Sequence, residues 1–210
     1  FTTTGTDNTY LGFQAGKGTA GAEANNVGVG SNALLAITTG GSNTVIGTSA
    51  GDAMTTSSNC VLIGRNAGTS INHTDADGTT IVGRNAGENI TSGIGNTALG
   101  YLALNAEDDG DFNTAVGHQA LADQTGVTGT VANTAIGYFA GKEITTGIKN
   151  TMIGAYAGAE TLLVDNTVLL GYNAGGGVMT AGADATVAVG KDALGALTSG
   201  AGNVAVGYQA

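Results

Sequence analysis

The apolar positions of this chain follow neither a helical period nor a plain alternation. They fall into short clusters of Thr or Val, a third residue, then Val, Leu or Ile, each closed by a glycine. Asn150-Thr-Met-Ile-Gly-Ala-Tyr-Ala-Gly158 is one such cluster, and twelve versions of it make up the chain. They align on Gly12, Gly30, Gly47, Gly64, Gly83, Gly100, Gly117, Gly137, Gly154, Gly171, Gly190 and Gly207. Counted from that glycine, Thr or Val stands at −3, an aliphatic at −1 and Ala at +3, with Gly or Leu at +4 and Asn usual at −4. A repeat of this regularity predicts a solenoid.

Within one copy, the −3 and −1 side chains lie two apart and so share one face of a short strand. Their branched shapes suit a pleated, half-buried surface. Position −2 is mostly apolar too (Tyr10, Val45, Leu62, Ile81, Ala98, Met152, Leu169), which predicts that the second face is covered as well. The glycine then turns the chain where a side chain would collide with the next coil. The unvarying Ala at +3, Ala103 and Ala157 among them, predicts an interior slot with room for one methyl group. Asn at −4 reads either as a rung of a ladder running along the axis or as a turn residue closing on its own backbone.

Successive glycines are separated by 18, 17, 17, 19, 17, 17, 20, 17, 17, 19 and 17 residues, so every third step is long. The linkers agree: Ile37-Thr-Thr-Gly40, Ile90-Thr-Ser-Gly93, Ile144-Thr-Thr-Gly147 and Leu197-Thr-Ser-Gly200 recur at every third copy. Thr19-Ala-Gly-Ala-Glu-Ala24 is matched by Thr180-Ala-Gly-Ala-Asp-Ala185. The expected fold is therefore all-β: a parallel β-solenoid of twelve coils of about 17 residues, grouped as four super-repeats of about 53 with threefold character. It forms one repeat domain over 1–210, with super-repeats at roughly 8–59, 60–112, 113–166 and 167–210. Two windings are open. The chain either visits three arms and then climbs a layer, the extra residues serving as the riser, or stacks each coil on the last. The riser favours the first.

Composition narrows the function. Thirty-eight glycines without a G-X-Y period and without proline exclude collagen, and 41% hydrophobic content argues against disorder. Six Lys and Arg against sixteen Asp and Glu give a net charge of −10, and the cations are too scattered for a nucleic-acid stripe. No apolar run is long enough to span a membrane. One cysteine, Cys60, excludes an intrachain disulfide. Phe1-Thr-Thr-Thr-Gly5 reads as an inter-repeat linker, which predicts a longer parent fibre.

Asn96-Thr-Ala-Leu-Gly-Tyr101, Asn113-Thr-Ala-Val-Gly-His-Gln-Ala-Leu121 and Asn203-Val-Ala-Val-Gly-Tyr-Gln-Ala210 resemble repeats of phage tail fibres and large bacterial surface proteins. They are also similar to the head repeats of trimeric autotransporter adhesins. The resemblance implies a left-handed parallel β-roll and an extracellular home, on a virion tail fibre or a cell surface. It also implies self-association along the fibre axis, by end-to-end stacking or as a homotrimer. Adhesin head coils are shorter than these, and one chain winding three times would supply the same threefold cross-section.

Candidate chemistry is sparse. His73-Thr-Asp75-Ala-Asp77-Gly78 and Glu107-Asp108-Asp109-Gly110-Asp111 resemble the start of a calcium loop but lack its closing bidentate Glu. Asp75, Asp77, Asp108, Asp109 and Asp111 are thus weak calcium candidates, and solvated turn acids are the reading taken. No linker carries the irregular insertion that a hydrolase dyad usually requires, so no enzyme activity and no cofactor are expected. Aromatics recur just after the glycine (Phe13, Tyr101, Tyr138, Tyr172, Tyr208), with Phe139 and Tyr156 one place later. They either shield the corner between coils, the reading taken, or stack on the sugar rings of a cell-surface glycan. The function read from the chain is a structural segment of an extracellular fibre, with a carbohydrate-binding or depolymerising tip as the alternative.

Overall fold

The computed structural model describes residues 5–18 and 21–210, so the Phe1–Thr4 linker and the Thr19-Ala20 start of the shared linker lie outside the described residues. Among the described residues, twelve three-residue strands, from Thr9–Leu11 to Val204–Val206, form one parallel sheet, and there is no α-helix. The strands lie side by side in sequence order. Thr44 pairs with Val61, Val45 with Leu62 and Ile46 with Ile63, and every later pair keeps this register. The chain is a parallel β-solenoid of stacked coils, roughly 53 Å along its axis at one strand spacing per step.

This pairing corrects the three-armed winding. Val45 bonds to the strand of Leu62, not to that of Ala98, and Ala50 stacks between the coils of Ala33 and Ala67. The extra residues of the long steps are spent locally instead of on a climb. Two of the four long linkers form 3-10 turns, Thr74–Ala76 and Ala181–Ala183. A third contributes Gly129–Thr130, which pairs with Gly110–Asp111 in a separate two-stranded sheet.

The coil closes within 17 residues because its corners use left-handed backbone. In the third coil these are Ser42 (φ 59°), Gly47 (141°), Ser49 (53°) and Gly51 (52°), and the other coils repeat them. At Gly47 both the φ value and space require glycine, because a Cβ there would run into the carbonyl oxygen of Gly64 in the next coil. The +4 corner is also left-handed, which explains glycine there but not leucine.

Packing explains the leucine. The fully buried strand residue is the one at −2 (Val45, Leu62, Ile81, Ala98, Met152 and Leu169), while −3 and −1 face outward. Where −2 is small, as at Gly28, Ala98, Ala115 and Ala188, +4 is Leu34, Leu104, Leu121 or Leu194. Where −2 is Val45, Leu62, Ile81, Met152 or Leu169, +4 is glycine, and a Cβ would press on those same side chains. One large group per coil fills the interior, delivered from either wall. Coil eight has neither, with Ala135 and Gly141, and there Met152 and Leu121 from its two neighbours close in. Ala103 and Ala157 are fully buried beside this exchange. The opposite wall is a column at +7: Ile37, Met54, Ile71, Ile90, Glu107, Gln124 and Ile144, all without solvent exposure.

Two side-chain ladders lace neighbouring coils. Oδ1 of Asn26 accepts the N–H of Asn43 (3.0 Å), and Oδ1 of Asn43 accepts that of Cys60 (2.9 Å). Each Nδ2 donates to a carbonyl three residues before the next rung, Gly40 and Ser57 respectively, both at 2.9 Å. The rungs resume from Asn96 through Asn113, Asn133 and Asn150 to Thr167. The ladder reading of this Asn holds and the turn reading does not: each rung bonds to the backbone of the next coil, its Oδ1 to the N–H of the next rung and its Nδ2 to a carbonyl there, not to the residue's own turn.

Candidate functional site

The fold leaves the outward face of the twelve-strand sheet open. Its −1 column is aliphatic throughout, and Ile46, Leu99, Ile136 and Leu170 are 38–47% exposed. The −3 column alongside is Thr or Val. A continuous apolar face of this length is the kind of surface that proteins use for association. The sequence placed the −1 and −3 residues on one face correctly, but the core lies on the other.

Across the glycine corner, the +1 column borders this face. In coil order it reads Phe13, Ser31, Thr48, Arg65, Arg84, Tyr101, His118, Tyr138, Ala155, Tyr172, Lys191 and Tyr208. From coil five onward rings and cations form a continuous row of contacts. Arg84 lies 5.6 Å over Tyr101, whose ring is 5.1 Å from His118, and His118 is 5.3 Å from Tyr138. Tyr138 stacks on Phe139 at 4.0 Å and meets Tyr156 edge-on at 5.3 Å. Tyr156 reaches Tyr172 at 5.9 Å, and Lys191 bridges Tyr172 and Tyr208 at 5.9 and 5.4 Å. The rings shield one another, but Tyr101, Tyr138, Tyr172 and Tyr208 remain 40, 43, 51 and 67% exposed.

The acidic candidates do other work. Oδ1 of Asp77 accepts the N–H of Ser58 (2.6 Å) and Oδ1 of Asp111 accepts that of Ile94 (2.9 Å). Asp165 and Asp184 make the same bond to Ile148 and Asp165. These acids form the second ladder, at position −6, each reaching back to the preceding coil. Oδ1 of Asp109 accepts both the Ser92 and Thr91 hydroxyls (2.6 and 2.7 Å), which holds its carboxyl below the ordinary range. Asp108 accepts the N–H of Asp109 at 2.9 Å. Asp75 falls in the Thr74–Ala76 turn. Among the described residues no three His, Cys, Asp or Glu side chains converge as a metal site would.

Glu107 went unnoticed in the sequence as anything but a linker acid. It replaces an isoleucine of the interior column, with Oε1 accepting the N–H groups of Gly110 (2.8 Å) and Asp108 (3.0 Å). Oε2 has no partner. Burial pushes its pKa up to about 7, against the pull of those two N–H groups. Gln124, the next residue of the column, bonds to Asn113 and Asn133. Its spacing of seven from the central glycine was the available signal. Cys60 takes an Asn rung, its thiol 3.4 Å from the Ala76 carbonyl, and burial pushes its pKa up to about 11, leaving it a poor nucleophile.

Compared with protein-family models, curated proteins and solved structures, the chain matches none of them.

Proposed function

We propose that this chain is a structural segment of an extracellular fibre, of the kind found in a virion tail fibre or a cell-surface filament. Coils associate laterally through the outward sheet face into a homotrimer, as the resemblance to adhesin heads implies. The observation that carries the reading is the unbroken aliphatic −1 column on the outward sheet face, which a lone chain would leave in water. Stiffness follows from the ladders, since every coil is bonded to both neighbours along its length. The mass of the intact native assembly tests this: three times the 20.3 kDa chain is expected. Ile136→Arg with Leu170→Arg should return the assembly to single chains while the β-sheet circular dichroism persists. A wild-type protein that is a single chain at micromolar concentration refutes the association.

A further inference from the structure

We propose that the alternating-tyrosine border is a binding track for an extended, anionic polysaccharide of twofold conformation, which presents the same face at every second sugar. The proposal goes beyond the structural role and does not depend on the number of chains in the fibre. Its first support is spacing. Tyr101, Tyr138, Tyr172 and Tyr208 occupy the +1 position of coils six, eight, ten and twelve, every second coil without a miss. Two strand spacings separate them, about 9.6 Å, which is close to, and slightly shorter than, the disaccharide rise of a flat, twofold β-1,4-linked chain. A pyranose presents its C–H face to an aromatic ring while its hydroxyls stay solvated, so half-exposed tyrosines suit it better than a protein partner's aliphatic core.

The second support is where the chain spends its charge. Three of its six cations, Arg65, Arg84 and Lys191, stand in this one column, and the column contains no Asp or Glu, although the protein carries −10 overall. Arg84 caps the track at one end and Lys191 fills the gap between the last two tyrosines. Asp192 lies 3.4 Å from Lys191, but both side chains are partly exposed, so that pair holds the ammonium weakly against an incoming carboxylate.

A third observation is independent of both. The +2 residue adopts left-handed backbone in every coil, and Asn, Asp, Ser or Gln fill it in nine of the twelve. Asn, Asp and other short polar residues suit that conformation, and bulky side chains do not. Leu102, Phe139 and Tyr156 break the pattern, the last two in consecutive coils, the second of which has Ala155 in the +1 column. Phe139 and Tyr156 carry the ring contact across the gap between Tyr138 and Tyr172. A local rule broken without a packing gain in the core points to a surface role.

The test is titration calorimetry with a linear β-1,4-mannuronate oligomer long enough to span the four tyrosines, with a cello-oligosaccharide of equal length and oligo-dT as the other arms. The mannuronate is expected to bind, with affinity falling as salt rises. Tyr138→Ala with Tyr172→Ala should weaken it by roughly tenfold or more, and Phe13→Ala, in the same column but outside the track, should not. Arg84→Glu and Lys191→Glu test the charge on variants that leave every ring in place. No binding by the mannuronate overturns the proposal. Equal, salt-independent binding of the neutral oligomer overturns its anionic part, and equal binding of oligo-dT would make the track a single-strand nucleic-acid site instead. The native mass of each variant is recorded alongside, so loss of association and loss of sugar binding are read separately.

Discussion

The interior column at +7 has two characters. Over four coils it is Ile37, Met54, Ile71 and Ile90, and over the next two it is Glu107 and Gln124, before Ile144 restores it. The twelve-strand sheet keeps its register through both stretches, and the polar stretch differs outside it, where Gly110–Asp111 pairs with Gly129–Thr130. In a globular core a buried carboxylate with an unpartnered oxygen would disturb many neighbours at once. Here each coil meets only the coil on either side, and the disturbance is absorbed by Gly110, Asp108, Asn113 and Asn133 within two steps. A solenoid tolerates a fault where it falls, provided the local donors are supplied.

The sharpest way to break that comparison is Ile71→Glu, which puts a carboxylate in the column without the N–H donors that Glu107 enjoys. The expected cost at neutral pH is about 3–5 kcal/mol, the scale of an uncompensated buried charge, read from urea unfolding. A cost below that of an ordinary surface change would mean that the column is wet.

Glu107→Gln sharpens the same contrast through pH. The folded-state pKa of Glu107, about 7, lies above the ordinary 4.5, so the folded form is favoured while the group is protonated. Stability from this site is full below pH 4.5 and is lost as pH rises through 7. The variant should match the wild type at pH 4 and exceed it at pH 8 by on the order of 2–3 kcal/mol. Parallel stability curves across that range would refute the buried carboxylate.

Ala157→Leu adds bulk beside the −2/+4 exchange, where one large group per coil already fills the space. Overpacking should cost about 1–3 kcal/mol, and Ala103→Leu, facing Ala98 and Leu104 in place of Met152 and Gly158, should fall in the same range. Asp109→Asn is the smallest change, expected within about 0.5 kcal/mol, because its carboxylate is solvent-exposed and an amide oxygen still accepts one hydroxyl. A melting-temperature loss as large as that of Ala157→Leu would show the Ser92 and Thr91 bonds to be more than surface stitches.

The solenoid was legible because Gly47 and its equivalents answer two demands at once, a left-handed φ and a carbonyl one coil away, so no copy can vary. The stacking order was not, because the every-third long step looks like a riser on paper. The fold takes up that extra length in local turns such as Thr74–Ala76. The covered −2 face was legible as an apolar run, and what the sequence could not show is that the −1 column stays open: Val, Leu or Ile there suits a half-buried face and an exposed one equally. A second pattern in the sequence marks the same −2 face as the core. Gly28 with Leu34 and Leu62 with Gly68 trade volume between −2 and +4, and only residues sharing one cavity do that. Of the candidate site, the ring column was visible as recurrence, while its continuity through Tyr156 and Lys191 was not.

The two ladders point in opposite directions, asparagines at −4 receiving from the coil ahead and aspartates at −6 from the coil behind. A finished coil therefore offers open acceptors and donors to whatever chain is delivered next, much as a crystal face offers a template to arriving molecules. A ribosome delivers the coils in that order. Assembly can begin once a few coils have emerged and advance one coil at a time, without waiting for a distant segment. Length then becomes a quantity evolution can edit freely: inserting or excising one coil between equivalent glycines lengthens or shortens the rod by one strand spacing and leaves every other joint as it was.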